Sequence, residues 1–165
     1  MAQLEQESPR LERRLRRDAL FFFIAGCVFL LDQLTKNLIR TTLQPGASVP
    51  SDGWVRFTHV TNTGAAFGIF PDQSFVLLIT TVVGVAAIVI YYLNPPVHSP
   101  LLTLSLGLQL GGALGNLLDR LRFGYVTDFI DFRVWPVFNI ADSSIVVGVA
   151  VLAAFLILSD RKQAS

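Results

Sequence analysis

Cysteine is almost missing from this sequence. Cys27 is the only one, so neither an internal disulfide nor a cysteine-built metal site is possible. Histidine is nearly as scarce, at His59 and His98. No HExxH, GxSxG or glycine-rich phosphate loop occurs, which removes the usual signatures of zinc peptidases, serine hydrolases and P-loop enzymes. Charge is thin as well: 15% of residues are charged and 52% are hydrophobic, with a mean hydropathy of +0.55. The net charge of +1 gives no reason to expect a nucleic-acid partner. No repeat or low-complexity tract is visible.

What is abundant is long apolar sequence. A bilayer span needs about 20 mostly apolar residues. Four segments meet this: Ala19–Ile39, Phe75–Leu93, Pro100–Leu118 and Val137–Leu158. The whole chain, residues 1–165, therefore reads as one membrane-embedded domain, all-α with four transmembrane helices. Residues 1–18 form a basic extension, expected as a disordered stretch or a surface-lying helix. That extension and the FFFIAGCVFLL run look like the start of a signal peptide. DQLTKNLIR follows instead of a small-residue cleavage site, so the segment reads as a retained first span.

Lysine and arginine near span ends set orientation. Arg10, Arg13, Arg14, Arg16, Arg17, Arg161 and Lys162 on one side outnumber Arg40, Arg56, Arg120, Arg122 and Arg133 on the other. Both termini are expected in the cytoplasm. The connections Arg40–Ser74 and Asp119–Pro136 then lie outside, and the two histidines fall on opposite sides, which argues against a histidine zinc site or a Ser–His pair.

This topology gathers the polar residues of the spans at one depth. Asp32 and Lys36 lie in the outer half of span one, spaced i,i+4 so that they share a face. Asn116 closes span three, with Asp119 and Arg120 just beyond it. Asn139 and Asp142 open span four. A carboxylate in a span costs about 2.5–3.5 kcal/mol on insertion scales, and such residues commonly mark function. Gln109 and Ser143, taken singly, read as glue between helices. Gly107, Gly111 and Gly115 form a stripe that permits close helix approach.

The outer connection has structure of its own. Trp54–Thr61 alternates aromatic and β-branched residues and reads as a strand in a short two- or three-stranded sheet. Asn62 and Gly64 suit a turn, and Ala65–Phe70 is expected to dip into the interface. Trp54, Phe70 and Trp135 read as an aromatic belt or as plain lipid anchors.

The chemical surplus is in acids: Asp32, Asp119, Asp128, Asp131 and Asp142. Two carboxylates held close cannot both ionise. One can activate water while the other protonates an amide carbonyl. Proton-coupled transport also uses membrane aspartates, so the acids alone leave both readings open.

Four motifs separate them. DQLTK (Asp32–Lys36), NTGAAFGIF (Asn62–Phe70), GGALGNLLDRLRFGYVTDFIDF (Gly111–Phe132) and FNIADSSI (Phe138–Ile145) occur in this order. Together they resemble the bacterial lipoprotein signal peptidases (signal peptidase II) over about Ala19–Leu158. The resemblance implies an aspartic endopeptidase of the bacterial plasma membrane, with its active site at the outer leaflet. It implies prolipoprotein substrates carrying a diacylglyceryl-modified cysteine, cut just before that cysteine, with membrane lipids around a monomer. It implies no metal and no organic cofactor.

It also assigns the catalytic aspartates to Asp128 and Asp142. Asp32, Lys36, Asn62, Gly64, Asn116, Arg120 and Asn139 carry over as substrate-binding or supporting residues. Asn62 and Asn116 are expected to donate to the substrate backbone, Asn139 to hold a catalytic carboxylate, and Arg120 to bind a carbonyl or balance charge. Asp32 with Lys36 reads equally as a structural ion pair. Asp119 is expected to be structural, beside Arg120, and Asp131 to face solvent. The NTGAAFG segment and the outer strand are expected to clamp the substrate. The rival from another class is a small proton- or ion-coupled transport protein using Asp32, Asp128 and Asp142.

Overall fold

The structure is a computed structural model that describes residues 2–64, 73–95, 97 and 99–163. The Ala65–Phe70 stretch expected to dip into the interface, with the part of the expected NTGAAFG clamp that follows Gly64, and the placement of His98 lie outside the described residues. In chain order the elements are α1 (Ala2–Thr42), β1 (Ser48–Val49), β2 (Arg56–Asn62), α2 (Gln73–Leu93), α3 (Pro100–Phe123), β3 (Val126–Asp131) and α4 (Ile140–Gln163). Among the described residues, four helices are long and apolar enough to cross a membrane.

Helix α3 is the hub. Its apolar stretch is 61% buried inside the protein, against 6% for α2 and 17% for α1 and α4. The glycine stripe explains why. A Cβ on Gly111 would stand 2.5 Å from the Ala25 carbonyl of α1, and one on Gly107 would stand 3.0 Å from Ile24. A Cβ on Gly112 would meet Ala141 of α4 at 2.5 Å. Bare backbone on α3 therefore lets α1 and α4 close in from two sides. The inner half of the bundle is an apolar cluster of Phe21, Ala25, Tyr92, Leu102, Leu106 and Leu110. Phe21 stacks on Tyr92 with ring centroids 3.8 Å apart.

Three boundaries differ from the sequence reading. The basic N-terminal stretch simply continues α1 from Ala2. Helix α3 runs past Leu118 to Phe123, because Arg120 and Arg122 tolerate the helix. It stops at Gly124, whose φ of 77° is the left-handed cap that glycine adopts at no steric cost. Asp119 and Arg120 thus sit inside its last turns. Helix α4 starts at Ile140 rather than Val137, with Asn139 preceding it.

The sheet is three-stranded and antiparallel in the order β1-β2-β3. Strand β2 begins at Arg56, so Trp54 and Val55 precede it and stand exposed. Its register against β3 pairs Arg56 with Asp131, Phe57 with Ile130, Val60 with Asp128 and Asn62 with Val126, with an irregularity between Phe57 and Val60. An extra residue in one strand reverses which face later side chains occupy. His59 ties the sheet to the end of α1 through a hydrogen bond between its Nδ1 and the Leu43 carbonyl (2.8 Å).

Candidate active site

The site forms where β3 meets the start of α4. The Phe129 and Ile130 N–H groups both donate to the Phe138 carbonyl (3.0 and 2.7 Å), and the Phe138 N–H donates back to Ile130 (3.1 Å). Asp128 immediately precedes this backbone clamp and Asn139 immediately follows it. The intervening turn is held by the Arg133 N–H donating to Asp131 Oδ1 (2.7 Å). Arg133 adopts a φ of 64° there.

Asn139 is the N-cap of α4 and links the two aspartates. Its Oδ1 accepts the Asp142 N–H (2.8 Å), while Asp142 Oδ2 accepts the Asn139 N–H (3.3 Å). This is a reciprocal capping box with Asp at the third helical position. The Asn139 Nδ2 donates to Asp128 Oδ1 at 2.6 Å. A residue needed to start the helix thus also places both carboxylates. Sequence reasoning missed the cap, although N-x-x-D before an apolar run is its local signature.

Two further amides complete the pair. Asn62 Nδ2 donates to Asp128 Oδ2 (2.9 Å) and its Oδ1 accepts the Gly64 N–H (2.8 Å). Gly64 has a φ of 74°, and a Cβ there would collide with Leu77. Asn116 Nδ2 donates to Asp142 Oδ1 (2.8 Å). Both asparagines, expected to serve substrate, each direct a donor at a carboxylate.

Behind this layer lies a closed charge network. Asp32, Lys36 and Asp119 are all fully buried. Lys36 Nζ is 2.8 Å from Asp32 Oδ2 and 3.6 Å from Asp119 Oδ2. It also donates to Asn116 Oδ1 at 2.8 Å. An ammonium on that oxygen fixes which end of the amide faces Asp142. Asp32 Oδ1 accepts the Ala141 N–H (2.9 Å), satisfying another free donor at the α4 N-terminus. Gln33 Nε2 bridges Asp32 (3.1 Å), the Gly115 carbonyl (3.1 Å) and Asp119 (3.3 Å). A Cβ on Gly115 would run into the Asp32 carboxylate.

One expectation is corrected, at Asp131, while Asp119, expected to be structural, ion-pairs with Arg40 at 3.3 Å as well as with Lys36 at 3.6 Å. Asp119 Oδ2 accepts the Thr127 N–H (3.0 Å), anchoring the residue before Asp128. Arg40 extends the Asp32–Lys36 stripe by another i,i+4 step, a signal the sequence reading left unused. Asp131 does not face solvent. It is buried, paired with Arg56 at 2.5 Å and bonded by the Thr58 hydroxyl (2.8 Å). The pairs involving Gln109 and Ser143 are local: Gln109 donates to Ser105 Oγ (2.9 Å) and Ser143 to the Asn139 carbonyl (2.9 Å).

The electrostatics separate the acids. Burial pushes Asp128 up to about 6, and the charge of Asp142 pushes the same way; the Asn62 and Asn139 donors pull down more weakly. Asp131 is held below the ordinary carboxylate range, first by the Thr58 hydroxyl, then by the Arg133 N–H and Arg56. Asp142 is half-buried. Arg120, also half-buried, makes one long contact to Thr81 Oγ1 (3.5 Å).

Comparison with known proteins gives a consistent result. The family model described as signal peptidase (SPase) II matches residues 24–158. A protein named lipoprotein signal peptidase from Moorella thermoacetica is 49% identical over 144 residues, covering 87% of this chain and 96% of that protein. One of the same name from Halothermothrix orenii is 46% identical, covering 83% and 94%. Among solved structures, a bacterial membrane enzyme determined by the in meso method superimposes with a TM-score of 0.76 at 33% identity, covering 88% of this chain and 91% of that one.

Proposed function

The chain belongs to the signal peptidase II family, and from that premise we propose that Asp128 and Asp142 form the catalytic dyad of an aspartic endopeptidase. The protein is a multi-pass membrane peptidase that removes signal peptides from lipoprotein precursors. The observation that carries the dyad is the Asn139 cap, whose side-chain amide donates to the Asp128 carboxylate and whose backbone N–H donates to the Asp142 carboxylate. The aspartates of a transport protein would need polar partners reaching the other end of the bundle, where the core is the apolar cluster around Phe21 and Tyr92.

The pair shares a proton, and the upward push of burial on Asp128 supports Asp128 as its carrier. Asp142 takes a proton from water as the water oxygen attacks the scissile carbonyl carbon. Asp128 donates its proton to the carbonyl oxygen. Collapse of the tetrahedral intermediate returns a proton to the departing amide nitrogen, with no covalent enzyme intermediate. Arg120, whose hydrogen bond among the described residues is the long contact to Thr81, keeps donors for a substrate carbonyl. Asn62 and Asn116 each keep a second amide hydrogen for the substrate backbone.

The substrate is a prolipoprotein bearing a diacylglyceryl cysteine, cut before that residue. The lipid and the signal helix fix the peptide at the outer leaflet of the plasma membrane, supplying proximity. The dyad lies at the C-terminal ends of α1 and α3 and the N-terminal end of α4, the end opposite the arginine-rich extension. With both termini cytoplasmic, this end is extracytoplasmic. The test is cleavage of a diacylglyceryl prolipoprotein by purified protein in detergent. Asp128→Asn and Asp142→Asn are each expected to slow turnover at least about 10³-fold, roughly 4 kcal/mol. Retained activity in Asp128→Asn would overturn the assignment.

A further inference from the structure

Asp128 is held in its strand from both sides. The backbone clamp on Phe138 follows it, and a polar brace precedes it at Thr127, which is fully buried. The Thr127 N–H donates to Asp119 Oδ2 of α3 (3.0 Å). The Thr127 hydroxyl accepts from Arg40 Nη1 near the end of α1 (3.0 Å). Tyr125 alone separates the Gly124 cap of α3 from β3, so the brace grips the joint at which helix becomes strand. Side chains alternate along a strand, so Thr127 is gripped on the face opposite Asp128.

The contacts of Arg40 are unequal. Its Nη1 lies 3.3 and 3.4 Å from the two oxygens of Asp119 but 3.0 Å from the Thr127 hydroxyl. An arginine serving only as counter-ion would turn its fork so that two nitrogens meet the two oxygens. Here a single nitrogen reaches both, and its shortest bond goes to a neutral hydroxyl. Asp119 also has Lys36 at 3.6 Å and the Gln33 amide at 3.3 Å. The Phe123 ring, with its centroid 4.7 Å from the guanidinium, backs Arg40 in this pose. Arg40 also continues the stripe of Asp32 and Lys36 along α1. Lys36 reaches Asp142 through Asn116, by two bonds of 2.8 Å. Arg40 reaches Asp128 through Thr127. Successive turns of one helix thus hold the two carboxylates.

We propose that Arg40 is a positioning residue for the peptidase reaction: acting through the Thr127 hydroxyl, it sets the placement of Asp128 against Asp142. The inference rests on the dyad assignment above. A slightly displaced Asp128 leaves substrate binding to other residues intact but loses its alignment with water and the scissile carbonyl. Turnover should change and KM should not.

Steady-state cleavage of a diacylglyceryl prolipoprotein by the full chain in detergent tests it. Thr127→Val removes the hydroxyl and keeps a β-branched side chain. Its kcat is expected to fall about 10-fold, with KM within about two-fold of wild type. Thr127→Ser, which restores a hydroxyl, should return kcat to within about three-fold. Arg40→Gln should also lose about 10-fold in kcat, and Arg40→Gln/Thr127→Val should lose no more than the larger single loss, because both changes break one bond. Thermal unfolding of each variant beside Asp131→Asn, a sheet variant expected to lose stability and keep turnover, separates misplacement from misfolding. Wild-type kcat in Thr127→Val overturns the proposal, as does multiplication of the two single losses in the double variant. A raised KM at unchanged kcat also overturns it and moves Arg40 to substrate binding. Asp128→Asn, assayed alongside, tells the two failures apart. If it retains turnover, the dyad reading fails and takes the proposal with it. If it is inactive while Thr127→Val is unimpaired, the positioning role alone fails.

Discussion

Asp128 and Asp131 stand three residues apart on β3, both buried, and their surroundings differ in kind. On one face of the strand, among the described residues, Asp128 receives amide donors from Asn62 and Asn139, while the charge of Asp142 pushes it up and that of Lys36 pulls it down. On the other, Asp131 receives the Thr58 hydroxyl, the Arg133 N–H and the Arg56 guanidinium. The first carboxyl is pushed up to about 6 and the second is held below its ordinary value. An amide can fix the direction of a carboxylate without compensating its charge. Burial is the largest push on Asp128, whereas Asp131 is lowered first by the Thr58 hydroxyl, then by the Arg133 N–H and the Arg56 guanidinium. Asp131 fastens β3 to β2 through Arg56 and Thr58, and the raised value of Asp128 fits the proton-carrying role proposed for it.

The sharpest way to break this contrast is to remove one proton-binding group at a time. Asp128→Asn is expected to lose about 10³-fold or more in turnover while the protein stays folded. Asp131→Asn should keep turnover of the folded fraction within about three-fold, yet lose about 2 kcal/mol of stability, the scale of charged hydrogen bonds left half-made. Equal losses of turnover in two folded variants would erase the distinction.

The next effect tests the amide side. Asn139→Ala removes the donor to Asp128 and the cap of α4 together. Its kcat should fall about 10²-fold, and its thermal stability should drop by about 1 kcal/mol. A variant with unchanged kcat and only lower stability would reduce Asn139 to a helix cap.

The smallest effect is in pH dependence. For Asp128 the native value, about 6, lies above the ordinary 3.8. Its contribution to stability is therefore fully present below pH 3.8 and is lost as pH rises through 6, at a cost on the order of 3 kcal/mol. Asp131 has the opposite sign: its contribution is present above pH 3.8 and is lost as pH falls below that value. Unfolding measured from pH 3 to 8 should show Asp128→Asn gaining on wild type between pH 4 and 7. Asp131→Asn should lose least, relative to wild type, at the acid end. Parallel curves for all three proteins would mean that neither aspartate is perturbed as described.

Much of this molecule was legible in the chain itself. Spans follow from apolar run length, because lipid demands about 20 apolar residues per helix. The strand over Trp54–Thr61 was visible in its alternation, and the residues of the site could be named because four motifs kept their order. Helix ends were less legible. Hydropathy falls at Asp119, but backbone geometry lets α3 continue to the glycine that can adopt a left-handed cap.

Pairing was decided by tertiary structure alone. Residues 56, 58 and 62 of β2 share parity, yet Arg56 and Thr58 reach Asp131 while Asn62 reaches Asp128 on the opposite face. The irregularity between Phe57 and Val60 makes that possible, and no local pattern announces it. Arg40, rather than the adjacent Arg120, meets Asp119 because α1 packs against the glycine face of α3. Composition and periodicity determined which residues enter the membrane and at what depth, since those depend on each segment's own solvation. Which carboxylate meets a cation and which meets an amide depends on register and helix approach between segments distant in sequence, and only the folded packing sets these.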